Sequence, residues 1–203
     1  MLSSPDILGS QIGKDDPMAR FYLIRHGQPD YSGLDAHGFF GFGRAFAPLS
    51  EKGVAQAEVA ARDPRLKTAK LIVSSPYTRA LQTAQIISRE IDLSVTVELD
   101  LHEWMPDRTN QLSSGAESAA LAEEFCRHQG EYPQGQTMRW ETLTHMRERM
   151  RRVADKYAEY DCVIFVGHGM AFRALHEIAQ MAPAEIIECN YQPGDPDCTY
   201  HFT

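Results

Sequence analysis

Two short apolar runs, one near each end of the chain, have the pattern of buried strands, and each is followed by a histidine that stands beside glycine. Residues 21–24 precede Arg25 and His26, and residues 163–166 lead to His168. Continuous apolar runs of this length are typical of parallel strands that are covered on both faces. If the two strands are neighbours, both imidazoles emerge at the carboxyl edge of the sheet, where open α/β folds bind their ligands.

The rest of the chain alternates between strand-like and helix-like segments. Strands are predicted at residues 71–73, at residues 95–99 and, finally, near residues 199–202. Apolar residues at helical spacing predict helices over residues 51–63, with Ser50 as the N-cap, and over residues 77–91, 140–160 and 170–180. This alternation favours an α/β fold, a three-layer α/β/α sandwich with a mostly parallel central sheet.

In two stretches the apolar residues follow neither the strand period nor the helix period. Residues 28–48 are rich in glycine and phenylalanine and are predicted to form a loop, whose phenylalanines either line an apolar substrate pocket or, as is more usual, pack on the domain. Residues 107–135 are polar and mixed, and they are predicted to form a helical insertion over the carboxyl edge of the sheet, with a helix at residues 117–128. We expect one domain over residues 20–203, preceded by an extension over residues 1–19.

Composition narrows the class of protein. Hydrophobic residues make up 43% and charged residues 24% of the 203 positions, which is typical of a globular domain. No apolar stretch approaches the roughly 20 residues of a membrane span, and residues 1–17 lack the pattern of a secretory signal. The four cysteines include no CxxC pair, which favours reduced thiols in the cytoplasm. The net charge of -8 disfavours a nucleic-acid partner but is compatible with a small phosphorylated substrate.

Charged residues follow other predicted strands as well. Arg79 lies in the first turn of the helix after residues 71–73, where its guanidinium and the helix N-terminus both attract an anion. Glu103 follows the next predicted strand and supplies a carboxylate. Arg25 adds a second guanidinium directly before His26. Neither histidine segment has the spacing of metal ligands, so we expect no metal and no other cofactor.

In this order, the segments resemble the histidine phosphatase superfamily, which has the phosphoglycerate mutase-like fold. The resemblance runs from about residue 21 to about residue 190 and includes residues 49–57 and 74–84. It implies that His26 is the nucleophile that becomes phosphorylated and that Glu103 is the proton donor. The residues that it implies as holders of the phosphoryl group are Arg25, Arg79 and His168.

A further likeness lies in the Glu141-Thr142-Leu143 segment, which resembles the family's GES motif. The chain has Trp140 where the family usually has glycine. Because of this difference, Glu141 is assigned no role and is expected to be an exposed helix residue.

The charge of a phosphomonoester explains why these residue types suit it. The ester carries close to two negative charges, so the attacking group must be neutral, as the imidazole of His26 is near pH 7. The pocket must be cationic, and Arg25, Arg79 and a protonated His168 would stabilise the equatorial oxygens. Glu103 would protonate the departing alkoxide and, as a carboxylate, activate the water that cleaves phosphohistidine.

These residues predict an enzyme, a metal-independent phosphatase that acts on a small phosphorylated molecule or a phosphoprotein. A phosphoglycerate mutase is the first alternative, but mutases typically continue the RHG motif with Ser-x-Trp-Asn, whereas residues 28–31 read Gln-Pro-Asp-Tyr. A second alternative is a non-catalytic module that binds phosphate. A third is a metallohydrolase that uses His26, His168 and Glu103 as ligands, although Arg25 would repel the metal.

Overall fold

The computed structural model describes residues 18–202. The predicted extension over residues 1–19 therefore lies almost wholly outside the described residues, and Ala19 is already part of the first strand. No helix in the described part of the chain combines the length and the apolar character needed to cross a membrane.

A central sheet organises the domain. Within residues 18–202 it has five strands: β1 (Ala19–Arg25), β2 (Leu71–Ser74), β3 (Val95–Val97), β4 (Cys162–Gly167) and β5 (Ile186–Tyr191). Their order is β3-β2-β4-β1-β5, and β5 alone runs antiparallel to its neighbour. The predicted central pair is confirmed, because β1 and β4 are adjacent and parallel with Arg25 opposite Gly167.

Helices cover both faces of this sheet. The α-helices of the described residues are α1 (Ser32–Ala36), α2 (Glu51–Ala61), α3 (Thr78–Ile91), α4 (Gly115–Arg127), α5 (Leu143–Tyr157) and α6 (Gly169–Leu175), of which α2, α3, α5 and α6 pack on the sheet. Short 3₁₀ segments occur at Gly41–Phe46, Pro64–Thr68 and Leu99–Leu101. The predicted cap of α2 is confirmed, since the Ser50 hydroxyl accepts a hydrogen bond from the backbone N–H of Gly53 at 3.0 Å.

Alternate residues of β1 and β4 supply the two halves of the core. Tyr22 and Ile24 face the side covered by α2 and α3, while Phe21 and Leu23 face the side covered by α5 and α6. Apolar burial on both faces is the reason these strands read as continuous apolar runs. The three-layer α/β/α prediction is confirmed.

The predicted insertion forms a third cluster around Phe125 of α4. The Phe125 ring packs on Trp104 and Trp140, with ring centroids 5.0 Å and 5.3 Å away. Residues of α5 and α6 belong to the same cluster, so the insertion is joined to the helices on one face of the sheet.

Several predicted boundaries are wrong. Helix α5 begins at Leu143 instead of residue 140, because the Thr142 side chain caps it by accepting from the backbone N–H of His145 at 3.1 Å. Helix α6 is shorter than predicted and ends at Leu175. No strand forms at residues 199–202, and the edge strand is instead β5. The predicted loop at residues 28–48 contains α1 and a 3₁₀ segment.

Candidate active site

The ring of His26 is held where β1 ends. It is only 4% exposed. Its Nδ1 lies 2.7 Å from the carbonyl oxygen of Gly27, and its Nε2 lies 3.1 Å from Nε of Arg79. Because the Arg79 Nε–H can only donate, Nε2 carries the lone pair and Nδ1 carries the proton.

The surroundings of His26 keep this ring uncharged. Burial, the positive charge of Arg79 and, to a smaller degree, that of Arg25 lower its pKa to about 3. The imidazole is therefore neutral at pH 7, with its lone pair on the nitrogen that faces Arg79.

His168 follows β4 and lies beside His26, with 5.1 Å between the ring centroids. Its Nε2 is 2.8 Å from the hydroxyl oxygen of Ser75, which also accepts from the backbone N–H of Tyr77 at 3.3 Å. The Ser75 hydroxyl is thus free to donate to Nε2, which leaves the proton of His168 on Nδ1. That Nδ1 is buried and has no hydrogen-bond partner among residues 18–202.

The protonated His168 of the sequence-based prediction does not agree with these contacts. Complete burial, followed by the positive charge of Arg79, lowers the pKa of His168 well below its ordinary value. The ring is neutral at pH 7 and offers a neutral N–H donor instead of a second cation. A phosphate dianion placed beside the ring would oppose this shift.

Two guanidinium groups supply the positive charge. Arg79 is buried, and its Nη1 donates to the carbonyl oxygen of Arg44 at 3.0 Å. Arg25 donates through Nη1 to the carbonyl of Met181, whereas its buried Nε has no hydrogen-bond partner within the described structure. In the part of the chain that is described, neither Arg25 nor Arg79 forms an ion pair with a carboxylate. Their charge is available to an anion.

Glu103 is brought to the same edge by the start of α6. Its Oε1 accepts from the backbone N–H of Ala171 at 3.1 Å, and its Oε2 accepts from that of Met170 at 3.4 Å. The backbone N–H of Trp104 also donates to Oε1, at 2.8 Å. Because α6 begins directly after His168, these bonds place the carboxylate close to the two histidines.

Tyr77 and Ser75 are site residues that the sequence did not reveal. Tyr77 packs its ring against His168, with centroids 4.9 Å apart, and lies 5.0 Å from the guanidinium carbon of Arg79. Burial and the negative charge of Glu103 raise the pKa of Tyr77 to about 12, so its phenol is neutral. The resemblance stated from the sequence includes both residues but implies no role for either.

Glu141 corrects a second expectation. The prediction was an exposed residue on a helix, whereas Glu141 is buried, with 5% of its surface exposed, and lies just before α5. Its two oxygens accept from Nε and Nη2 of Arg149 at 2.7 Å and 3.0 Å. Nη1 of Arg149 donates to the carbonyls of Asp100 and His102 at 2.6 Å and 2.7 Å. The pair therefore holds the turn that leads into Glu103.

A backbone contact explains the glycines of two motifs. A Cβ atom on Gly27 would lie 2.3 Å from the carbonyl oxygen of Gly53, and a Cβ on Gly53 would lie 2.1 Å from that of Gln28. The side chains of Ser50 and Gln56 also bond the backbone of Gln28. The start of α2 thus fixes the turn that follows His26.

The predicted residues His26, His168, Arg25, Arg79 and Glu103 come together at the carboxyl edge of β1, β2 and β4. Among residues 18–202, no three histidine, cysteine, aspartate or glutamate side chains form a group that could hold a metal ion. His26, His168 and Glu103, the ligands in the metallohydrolase alternative, are therefore not arranged to hold a metal ion.

Comparison with known proteins finds relatives in sequence. The chain is 26% identical over 177 residues to the "Probable phosphoglycerate mutase GpmB" of Yersinia pestis (strain Pestoides F), which covers 78% of this chain and 73% of the relative. A shorter match to the "Putative phosphoserine phosphatase 2" of Hydrogenobacter thermophilus is 37% identical over 86 residues and covers 42% of this chain. The shorter match spans 40% of that relative's length.

Solved structures share the fold. The mycobacterial glucosyl-3-phosphoglycerate phosphatase superposes with a TM-score of 0.65 at 23% identity, over 84% of this chain and 89% of that chain. The phosphoglycerate mutase from Bacillus anthracis superposes with a TM-score of 0.65 at 19% identity, over 93% of this chain and 95% of that chain. At these identities the likeness concerns the fold alone.

The family comparison covers most of the chain. The sequence model described as histidine phosphatase superfamily (branch 1) matches residues 21–195. That range includes all five strands except the first two residues of β1, together with every candidate site residue. The protein belongs to the histidine phosphatase superfamily, branch 1.

Proposed function

We propose that the protein is a metal-independent phosphatase that hydrolyses a phosphomonoester through a phosphohistidine on His26. The observation that carries this proposal is the state of that ring, a buried and uncharged imidazole whose Nε2 lone pair lies beside the Arg79 guanidinium. A neutral nucleophile in cationic surroundings is what attack on a phosphate dianion requires.

In the first half-reaction, Nε2 of His26 attacks phosphorus, and the bond between phosphorus and the ester oxygen breaks. Arg25, Arg79 and the Nδ1–H of His168 stabilise the charge on the equatorial oxygens. Glu103, in its carboxylic acid form, gives its proton to the departing alkoxide, which leaves as the alcohol.

In the second half-reaction, water attacks the phosphorus of the phosphohistidine. The carboxylate of Glu103 takes a proton from that water, and the bond between phosphorus and Nε2 breaks. Inorganic phosphate leaves, His26 returns to its neutral form, and Glu103 carries the proton needed for the next turnover. The net reaction is ester plus water to alcohol plus phosphate.

The names of similar proteins support phosphoryl chemistry of this kind. The mycobacterial phosphatase has been solved with VO3 and with inorganic phosphate. Mutase-type transfer is the second candidate, because the relative that matches over 177 residues is named a mutase. Hydrolysis is favoured because residues 28–31 lack the Ser-x-Trp-Asn pattern typical of mutases.

The substrate class and the compartment are part of the same proposal. The substrate is a phosphorylated small molecule or a phosphoprotein. We place the reaction in the cytoplasm, because the thiols of all four cysteines are free, which suits a reducing compartment.

The test is detection of the phosphoenzyme. Chelator-treated protein is mixed with a ³²P-labelled ester, quenched in alkali, which preserves phosphohistidine, and mapped by peptide. Label is expected on the peptide that contains His26, with inorganic phosphate released in the presence of EDTA. His26→Ala should lose both, whereas His128→Ala, at the end of α4, should keep both.

Other results would contradict the proposal. Turnover by His26→Ala at the wild-type rate would mean that His26 is not the nucleophile. Activity that returns only when zinc or manganese is added back would favour a metallohydrolase. Interconversion of 2- and 3-phosphoglycerate faster than phosphate release would establish the mutase reading.

A further inference from the structure

An apolar pocket opens beside the phosphate-binding residues. Its volume is about 480 Å³, within the range of about 300–1,000 Å³ that is typical of small-molecule sites. Phe42 and Phe46 of the 3₁₀ segment form part of its wall, together with Leu99 and Met105. Phe42 is 53% exposed and Phe46 is 66% exposed, and both rings line the pocket, which is the less favoured of the two predictions made from the sequence.

Tyr77 connects the pocket to the candidate site residues. Tyr77 is part of the pocket lining, and the same ring packs against His168 and lies over the Arg79 guanidinium. The carbonyl of Arg44, in the segment that carries Phe42, accepts from Nη1 of Arg79 at 3.0 Å. A group esterified to a phosphoryl held by Arg79 and His168 therefore has this pocket as its neighbour.

The charge of the lining restricts what that group can be. Within the described structure, the residues that line the pocket include no lysine or arginine. His102 is neutral, because burial and the positive charge of Arg149 lower its pKa. The carboxylate of Asp100 also lines the pocket and pairs with Arg152 at 3.1 Å. A carboxylate on the substrate would find no cation among these lining residues, and the charged side chain that it would meet there, Asp100, has the same sign and already holds Arg152.

We propose that this pocket binds the alcohol part of the substrate and selects phosphomonoesters of uncharged, apolar alcohols, alkyl or aryl, over esters that carry a carboxylate. Contiguous exposed apolar side chains at the mouth of a catalytic site are typical of a ligand surface. The inference rests on the proposed phosphatase function, since it names the substrate class of that site.

The kinetic test compares three primary alkyl esters whose leaving oxygens are similarly basic: ethyl phosphate, hexyl phosphate and 6-(phosphonooxy)hexanoate. Each methylene that enters the pocket should raise kcat/KM by about fourfold. Hexyl phosphate should therefore exceed ethyl phosphate by roughly tenfold or more, even if only two of its extra methylenes are buried. The carboxylate ester should fall to the level of ethyl phosphate or below it.

A charge introduced into the pocket should reverse this preference. Leu99→Lys places a cation in the lining, so it should lower kcat/KM for hexyl phosphate and raise it for the carboxylate ester. Ethyl phosphate is too short to fill the pocket, so its kcat/KM should change less than that of either longer ester. Val59→Lys on α2 is the matched control, because Val59 and Leu99 are each 70% exposed and Val59 is outside this pocket.

Binding of non-hydrolysable phosphonates separates failure of this inference from failure of the proposed function. Calorimetry should show hexylphosphonate binding more tightly than ethylphosphonate, with the difference reduced in Leu99→Lys and retained in Val59→Lys. Equal binding, together with equal hydrolysis of ethyl and hexyl phosphates, would overturn the pocket inference and leave the phosphatase standing. Tighter binding of hexylphosphonate without hydrolysis of any ester would support the pocket and overturn the phosphatase.

Discussion

Burial keeps the two active-site histidines uncharged, and their hydrogen bonds give them different roles. His26 carries its lone pair on Nε2, while Ser75 directs the proton of His168 to Nδ1. One ring is thus arranged to attack and the other to donate. The sequence predicted both histidines and a neutral His26, but it predicted neither the tautomers nor a neutral His168, because Ser75 and His168 are 93 positions apart and meet only in the fold.

The role of Glu103 as proton donor is tested by the basicity of the leaving group. A general acid matters most for a poorly departing alkoxide and little for nitrophenolate. Glu103→Gln should therefore lower the rate of phosphoenzyme formation by about 10²-fold or more with an alkyl phosphate, and clearly less with a nitrophenyl ester. Single-turnover kinetics measure this step apart from the later attack of water.

A matched comparison comes from Arg79→Ala. It removes a charge-assisted donor from the phosphoryl site, so it should slow both esters alike, by roughly 10²–10³-fold. If Glu103→Gln also slows both esters equally in the first step, the acid belongs to another residue.

At the scale of elements, the site depends on how a helix start packs against a strand end. The first turn of α2 lies so close to the turn after β1 that neither Gly27 nor Gly53 has room for a Cβ atom. The resemblance stated from sequence includes both glycines, but the contact between them is a property of the fold. The position of His26 therefore depends on α2, although within the described structure no residue of α2 forms a hydrogen bond or an aromatic pair with its ring.

Gly53→Ala tests this dependence. Alanine favours a helix over glycine by about 1 kcal/mol, but its Cβ would lie 2.1 Å from the carbonyl oxygen of Gln28, so the backbone must shift. We expect a net loss of about 1–3 kcal/mol in the free energy of unfolding, and a lower kcat, since the turn after β1 moves. Urea unfolding and phosphatase assays measure the two effects.

The control for that substitution is Gly115→Ala at the start of α4. Nothing lies within 4 Å of a Cβ at Gly115, so this variant should be as stable as the wild type or slightly more stable. If Gly53→Ala behaves like Gly115→Ala, α2 does not fix the catalytic turn.

Edge and boundary elements were the least predictable. Strands β1 and β4 are covered on both faces and are recognisable as apolar runs, whereas β5 alternates buried Cys189 and Tyr191 with exposed Glu188 and Asn190. That alternation is typical of an edge strand, but prolines follow and precede it closely. The prediction placed Glu141 on a helix. In the structure, Thr142 caps α5 and leaves Glu141 outside it, but this cap is a local hydrogen bond that apolar spacing does not reveal.

Over the whole molecule, the candidate site residues could be predicted because each lies near the end of a predicted strand in a short local motif. The pocket and the Glu141–Arg149 pair could not, because they depend on distances between segments that are remote in sequence. The same assembly explains how a chain with a net charge of -8 presents a cationic site. In the described part of the chain, Arg25 and Arg79 form no ion pair with a carboxylate, and the carboxylate of Glu103 accepts backbone N–H groups instead.

The buried, uncharged histidines also make the stability of the whole fold sensitive to acid. The pKa of His26 is about 3 in the folded chain, mainly because of burial, compared with an ordinary value of 6.5. Between these values the unfolded chain binds a proton that the folded chain does not. The free energy of unfolding therefore falls as the pH decreases from about 6.5 towards about 3. His168 acts in the same direction, because its pKa is also lowered.

Urea unfolding at pH 7 and at pH 5 measures this loss. For His26 alone it should be roughly 2 kcal/mol, since each pH unit inside the window costs about 1.4 kcal/mol. His26→Gln cannot take up that proton, so the variant should lose roughly 2 kcal/mol less than the wild type between the same two pH values. Equal losses in the two proteins would mean that folding does not lower the pKa of His26, so that burial and Arg79 do not hold this ring neutral at pH 5.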